Sequence, residues 1–215
     1  AIVDDEIILL TNTGQIRVDD PYTAPGYDPA TWNSGSETGW SLVAAGDFNG
    51  DGDAEIVATK GSTIKVFDPF VQSGSTLVSF TYSPGSSNIY RLLATGDFDG
   101  DGRDEIVATY TDVRTGVVES LQIYDGGSNG TTWTTTRTAS YNAYWQDLAT
   151  GDVNGDGYDD IGLVRNPSGN VMLIVYNGLT FTSLHEAKYS FPWTALAIGN
   201  LAWQYNGNEL ALTRS

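Results

Sequence analysis

The 215 residues carry 27 acidic against 10 basic side chains, a formal net charge of -17, which excludes a nucleic-acid partner because phosphate binding needs clustered Lys and Arg. The absence of cysteine excludes disulfides and thiolate metal sites, and no stretch is apolar and long enough to insert in a membrane as a helix. With 40% hydrophobic, 12% aromatic and only 17% charged residues, the chain can bury a core, and its wealth of Gly, Ser, Thr and Asn suits many strands joined by many turns.

In chain order, Glu6 opens a first strand, EIILLT. The next unit predicts strands SLVAAG (41–46), EIVATK (55–60), TIKVFD (63–68) and TLVSFTY (76–82). The unit after it repeats them as RLLATG (91–96), EIVATY (105–110), VVESLQIY (117–124) and a weaker, β-branched TWTTTRTA (132–139), as an outer edge strand would read. A last strand, ELALTRS, fills 209–215. No segment holds a helical period.

The repeats are explicit. AAGDFNGDGDAEIVAT (44–59), ATGDFDGDGRDEIVAT (94–109) and ATGDVNGDGYDDIGLV (149–164) are copies, and AIGNLAWQYNGNELALT (197–213) is a degenerate fourth. Their first positions, 47, 97, 152 and 200, are spaced near fifty residues, the size of a propeller blade or another small all-β unit. The organisation is one repeat domain over 1–215, with units of approximately 1–39 (incomplete), 40–89, 90–144, 145–192 and 193–215 (incomplete). The expected fold is an all-β propeller of four-stranded antiparallel blades, with small residues (Ala44, Ala45, Gly46 and their counterparts) where inner strands crowd the axis. A solenoid of stacked hairpins is the alternative.

Thirteen of the 27 acids fall in the three intact loops, a clustering that is costly without a cation. In the first, Asp47, Asn49, Asp51 and Glu55 place side-chain oxygens at positions 1, 3, 5 and 9, with the backbone carbonyl of Asp53 at position 7. The second set is Asp97, Asp99, Asp101 and Glu105 with the carbonyl of Arg103. The third is Asp152, Asn154, Asp156 and Asp160 with the carbonyl of Tyr158. Hard oxygens on alternate residues let a tight loop wrap one ion, and Ca²⁺ accepts six to eight of them in a flexible geometry where Mg²⁺ demands a near-octahedron. Three Ca²⁺ sites are expected. The first five positions look like the start of an EF-hand loop, but no Glu follows at position 12 and no helix follows at all.

These loops resemble the FG-GAP/VCBS repeats of integrin α-subunit propellers and of many secreted bacterial and fungal proteins. The resemblance covers nearly the whole chain, and D-x-[DN]-G-D-G-x-x-[DE] is specific in three of its units. It implies that the loop joins the first and second strands of a blade and that its calcium is mainly structural. Asn200 replaces the first Asp of the fourth copy, whose loop lacks the acids at positions 3 and 5, so no ion is expected there. The ends share one register, both at a second strand. This leaves open a larger propeller or pairing of an exposed strand with a neighbouring subunit. Ala1 in place of Met, with no signal peptide, reads as a processed protein or an excerpt.

Seven residues before each loop stands a large aromatic: Trp40, Tyr90, Trp145 and Trp193. Such a ring of side chains either seals the packing between blades or offers a ligand-binding face that stacks on sugars. Trp32, Trp133 and Trp203 are out of register. His185 is the one histidine and shows no triad or zinc spacing, and no phosphate loop is present, so no enzyme activity is expected. Asn129-Gly130-Thr131 fits a glycosylation sequon, a pattern that also arises by chance. The expected function is a calcium-binding extracellular module for adhesion, surface assembly or scaffolding, with a protein or glycan partner at the cell surface or self-assembly through strand edges. The alternatives are a carbohydrate-binding lectin and a non-catalytic propeller attached to a secreted enzyme.

Overall fold

Five antiparallel sheets follow one another along the chain in the computed structural model, which describes residues 6–20, 30–69, 88–112, 117–130, 132–142, 144–165, 171–190, 193–199 and 207–213. The first sheet holds β1 (Ile7–Leu10), β2 (Ile16–Asp19) and β3 (Ala30–Asn33). The second holds β4 (Leu42–Gly46), β5 (Glu55–Lys60) and β6 (Thr63–Phe67). The third is four-stranded: β7 (Asn88–Gly96), β8 (Glu105–Asp112), β9 (Val117–Asp125) and β10 (Thr134–Tyr141). The fourth repeats it with β11 (Asp147–Gly151), β12 (Asp160–Arg165), β13 (Val171–Tyr176) and β14 (Ser183–Tyr189). The fifth pairs β15 (Ala195–Gly199) with β16 (Glu209–Thr213). Among the described residues the sole helical segment is one 3-10 turn at Gly127–Asn129. The predicted strand TLVSFTY and residues 200–206 of the fourth loop lie outside the described residues.

Each sheet is a meander, so every strand pairs with its sequence neighbour. The hairpin register repeats without slippage at the acidic loops. Gly46 pairs with Glu55, Gly96 with Glu105 and Gly151 with Asp160 at one constant spacing, and in the degenerate copy, one residue longer, Gly199 pairs with Glu209. Every loop is therefore closed by a glycine on the first strand and an acid on the second. Glu209 is the first residue of β16, where the predicted strand ELALTRS begins.

The core lies between sheets, and that explains the unbroken apolar run of each second strand. In β5, Ile56 and Ala58 pack with Ile16, Val18 and Trp40, while Val57 on the other face packs with Tyr90, Ile106 and Ala108 of the next blade. In β8, Ile106 and Ala108 face backward and Val107 forward, against Trp145, Ile161 and Leu163. A strand buried on both faces shows no polar alternation. The outer strands β10 and β14 are largely exposed, which fits the four threonines and Arg137 of β10 and the polar Ser183, His185, Glu186 and Lys188 of β14. The second residue of each loop anchors it in the next interface: Phe48 and Phe98, at 1% and 3% exposure, join the clusters shared with the following blade.

Neighbouring blades are also stitched at the loops. Asp104 donates its backbone N–H to the Asp47 carbonyl at 2.8 Å, and its Oδ2 accepts the Asp47 N–H at 3.0 Å. Asp159 does the same for Asp97, with its N–H 2.8 Å from the Asp97 carbonyl and its carboxylate on the Asp97 amide. Asn208 N–H bonds the Asp152 carbonyl, so the degenerate copy keeps this stitch. The position-8 acid thus binds the loop of the preceding blade. It also gives the preceding strand's glycine a specific reason: a Cβ on Gly46 would lie 2.7 Å from Asp104 Oδ2, and one on Gly96 2.6 Å from Asp159 Oδ2.

With the loops loaded with calcium, Asp104→Ala should cost about 1–3 kcal/mol by removing a half-buried acceptor from the Asp47 amide. Gly46→Ala should destabilise in the wild type and do so less in the Asp104→Ala background, where the nearest crowding atom, Asp104 Oδ2, is gone. Urea midpoints of the four proteins would show this coupling.

Candidate metal centre

The three loops share one internal hydrogen-bond design. Asp47 Oδ1 accepts the N–H groups of Gly50 and Asp51 at 2.7 and 3.2 Å, and its Oδ2 that of Gly52 at 3.0 Å. Asn49 Oδ1 accepts Asp51 N–H, and Asp51 Oδ1 accepts Asp53 N–H. Asp97 likewise holds Gly100 and Gly102, Asp99 holds Asp101, and Asp101 holds Arg103. Asp152 holds Gly155, Asp156 and Gly157, Asn154 holds Asp156, and Asp156 holds Tyr158. Gly50 and Gly52 sit at φ 77° and 93°, the left-handed region these tight turns need and side chains resist. Alternate side-chain oxygens of each loop are therefore fixed by the loop's own backbone N–H groups.

The position-9 acids complete the set from the first residue of the second strand. Glu55 Oε2 accepts Phe48 N–H at 2.9 Å, Glu105 Oε2 accepts Phe98 N–H at 2.8 Å, and Asp160 Oδ2 accepts Val153 N–H at 3.1 Å. All three are buried, at 1%, 3% and 0% exposure. Burial pushes the Glu55 and Glu105 carboxyls up to about 8, assisted by neighbouring acids, and raises Asp160 by the same cause. One carboxylate oxygen from each of Asp97, Asp99 and Glu105 falls within 4.8 Å of the others. Hard, closely set oxygens around a buried carboxylate suit a divalent cation such as calcium. Asp53, Arg103 and Tyr158 occupy position 7, and the Arg103 guanidinium pairs with Asp101.

The aromatic series is placed differently from a ligand face. Trp145 is 0% exposed, Tyr90 4% and Trp40 6%, each inside an inter-blade cluster. Trp193 is half-buried against Tyr189, with ring centroids 6.2 Å apart. Trp40, Tyr90 and Trp145 thus pack between sheets and turn no ring face to solvent for a sugar, whereas the half-buried Trp193 is not enclosed in this way. Trp145 is further held by its backbone N–H on Glu119, a fully buried residue whose other oxygen lies 3.5 Å from Arg91 Nε. Burial raises the Glu119 carboxyl, opposed by its hydrogen bonds and Arg91. The out-of-register Trp32 and Trp133 pack edge-on against Phe67 and Phe48, and Trp203 lies outside the described residues.

Sequence reasoning missed a residue at the end of each third strand. The registers of β5/β6, β8/β9 and β12/β13 pair Ile56 with Phe67, Ile106 with Tyr124 and Ile161 with Tyr176. One step on, Asp68, Asp125 and Asn177 stand opposite the position-9 acids. Asn177 Nδ2 donates to Asp156 Oδ2 at 3.1 Å and Asp160 Oδ1 at 3.3 Å. Asp68 and Asp125 instead act on Glu55 and Glu105 as like charges. The signal was available as YDGG against YNGL at equivalent places, but only the strand register connects it to the loops.

Meandering sheets stacked in series, with an acidic loop between the first and second strands of each repeat, define a propeller-type repeat module. Residues 97–163 match the FG-GAP-like repeat and residues 38–64 the FG-GAP repeat, so the chain carries FG-GAP repeats over these residues. No curated protein sequence matches it. Among solved structures it is similar to the exotype rhamnogalacturonan lyase YesX, at 17% identity over 99% of this chain and 45% of that one, TM-score 0.54. It is similar to the Dos1 propeller at 11% identity, over 92% of this chain and 54% of that one, TM-score 0.53. BBS1N, solved in complex with ARL6DN, gives 8% identity over 99% and 73%, TM-score 0.57. The chain spans about half the length of the first two, and these likenesses show the all-β propeller fold alone.

Proposed function

We propose that this chain is a calcium-stabilised propeller module that works outside the cell as a scaffold in adhesion or surface assembly. The observation that carries the reading is the repeated loop itself: alternate side-chain oxygens set by backbone N–H groups beside a buried position-9 acid that pairs with no basic side chain among the described residues, the carboxylates of Asp97, Asp99 and Glu105 lying closest together. Calcium would supply the positive charge that these carboxylates lack. Asp47, Asn49, Asp51 and Glu55 would hold one ion, Asp97, Asp99, Asp101 and Glu105 a second, and Asp152, Asn154, Asp156 and Asp160 a third, each with the carbonyl of the position-7 residue. Millimolar extracellular calcium suits loop-held sites of this kind.

The work of the ion is structural. The loop that holds it also holds the next blade through Asp104 or Asp159, so the charge neutralised at one hairpin fixes an interface. No catalytic role is assigned: the loop carboxylates are committed to the cation, and His185 is exposed on the outer strand β14. The exposed Ile7 and Leu9 of β1, at 47% and 43%, support contact with a protein partner or another copy along that strand.

Native mass spectrometry of the chain in millimolar calcium tests the reading. Up to three bound ions are expected, and the same spectrum gives the size of the particle. A chain that takes up no calcium at millimolar concentration would overturn it.

A further inference from the structure

We infer that the residue facing the position-9 acid from the third strand grades the three loops in their demand for a divalent cation, with the second loop tightest and the third weakest. The inference rests on the calcium reading above and adds to it residues from outside the hairpin. Asp125 is the central case. Its Oδ1 accepts the Gly127 N–H at 2.6 Å and starts the turn that leads to β10. Asn177 Oδ1 does the same job for Thr180 N–H at 2.9 Å. The two side chains are thus held alike, and they differ in the atom left over. In Asn177 it is an amide with two protons, both directed at loop acids. In Asp125 it is a second carboxylate oxygen, for which no donor exists among the described residues.

The same contrast runs through position 3. Asn49 Nδ2 donates to Glu55 Oε1 at 2.9 Å, so the first loop partly satisfies its own buried acid. The second loop has Asp99 there, and Glu105, 3% exposed, is left with Oε2 on Phe98 N–H and no donor to Oε1 among the described residues. Asp99, Glu105 and Asp125 line one cavity of about 150 Å³, open enough for an ion to reach them. The Arg137 that also borders this cavity is turned to the Leu179 carbonyl, 2.6 Å from its guanidinium.

The charges then differ by loop. The second has Asp97, Asp99, Asp101, Glu105 and Asp125. The first has Asp47, Asp51, Glu55 and Asp68. The third has Asp152, Asp156 and Asp160, with two amides among them. Oxygen-ligand sites for calcium gain affinity with the number of charged ligands, which puts the third loop last; because Arg103 on Asp101 offsets one charge of the second loop, its lead over the first rests on the carboxylate oxygens of Glu105 and Asp125 that no described donor reaches. In the third loop the Asn177 amide already does part of the cation's work, and an ion entering there must displace it.

Calorimetric titration of calcium into the metal-free full chain tests this on wild type, Asp125→Asn and Asn177→Asp. Wild type should show constants separated by roughly tenfold steps. Asp125→Asn should weaken the tightest constant about tenfold and leave the other two in place. Asn177→Asp should tighten the weakest by a similar factor. Asn at 125 keeps the oxygen that accepts Gly127 N–H, and an unchanged circular dichroism spectrum verifies the fold. Three equal constants, or unchanged constants in both variants, would overturn the grading and leave the calcium sites standing. No heat and no bound ion in wild type would overturn both.

Discussion

Stripping divalent cations from the protein should lower its thermal midpoint by about 15–30 °C relative to saturating calcium, if the proposed three sites bind. At calcium a hundredfold above each dissociation constant, binding to the native state alone adds about 2.7 kcal/mol per site and about 8 kcal/mol for three. A chain of this size shifts by about 2–4 °C per kcal/mol. The metal-free protein should also have an inverted pH dependence. Burial holds Glu55 and Glu105 at about 8, against an ordinary value of 4.5 in the unfolded chain. The folded, metal-free chain therefore binds these two protons more tightly than the unfolded one. The resulting stability is fully present below pH 4.5 and is lost as pH rises through 8. Dialysed, metal-free protein should thus melt higher at pH 5 than at pH 8.5. In calcium the order reverses, because the ion binds the ionised carboxylates. Glu105→Gln should flatten the metal-free profile and shrink the calcium response. Equal midpoints with and without calcium, at both pH values, would remove the structural role of the ion.

Trp145→Ala costs about 3–5 kcal/mol, the range for emptying a fully packed large aromatic site. Its ring is completely buried in the interface between the third and fourth sheets, edge-on to Tyr141 at 5.1 Å, with the Arg165 guanidinium 5.1 Å from its centroid. Trp193→Ala should cost less, since that ring is half-buried. Urea unfolding in calcium separates the two. A loss below about 1 kcal/mol for Trp145→Ala would mean the ring is not enclosed as the structure has it, and would return it to the surface where a glycan could reach it.

The strand pattern and the hairpin register were legible because they are local. EIVATK and EIVATY read directly as β5 and β8, and the acid that begins each one pairs with the glycine before the loop. Position 8 was not legible, because Asp104 acts on Asp47, 57 residues earlier and in another blade. The choice between sealing and ligand binding for Trp40, Tyr90 and Trp145 was open for the same reason. A period of fifty marks equivalent places but not which side of a strand meets the next sheet.

The sequence by itself determined the repeat, the all-β class, and the alternate oxygens of the loops at Asp47, Asp97 and Asp152. Each of these depends on residues within one hairpin, where spacing along the chain is nearly spacing in space. Only the tertiary structure decided what the loops touch. Stacking the blades buries the aromatics, turns Asp104 and Asp159 back onto the preceding loops, and sets Asp68, Asp125 and Asn177 opposite the position-9 acids. Those contacts join residues far apart in sequence, and burial at the interface gives their charges weight that the same residues would lack in water.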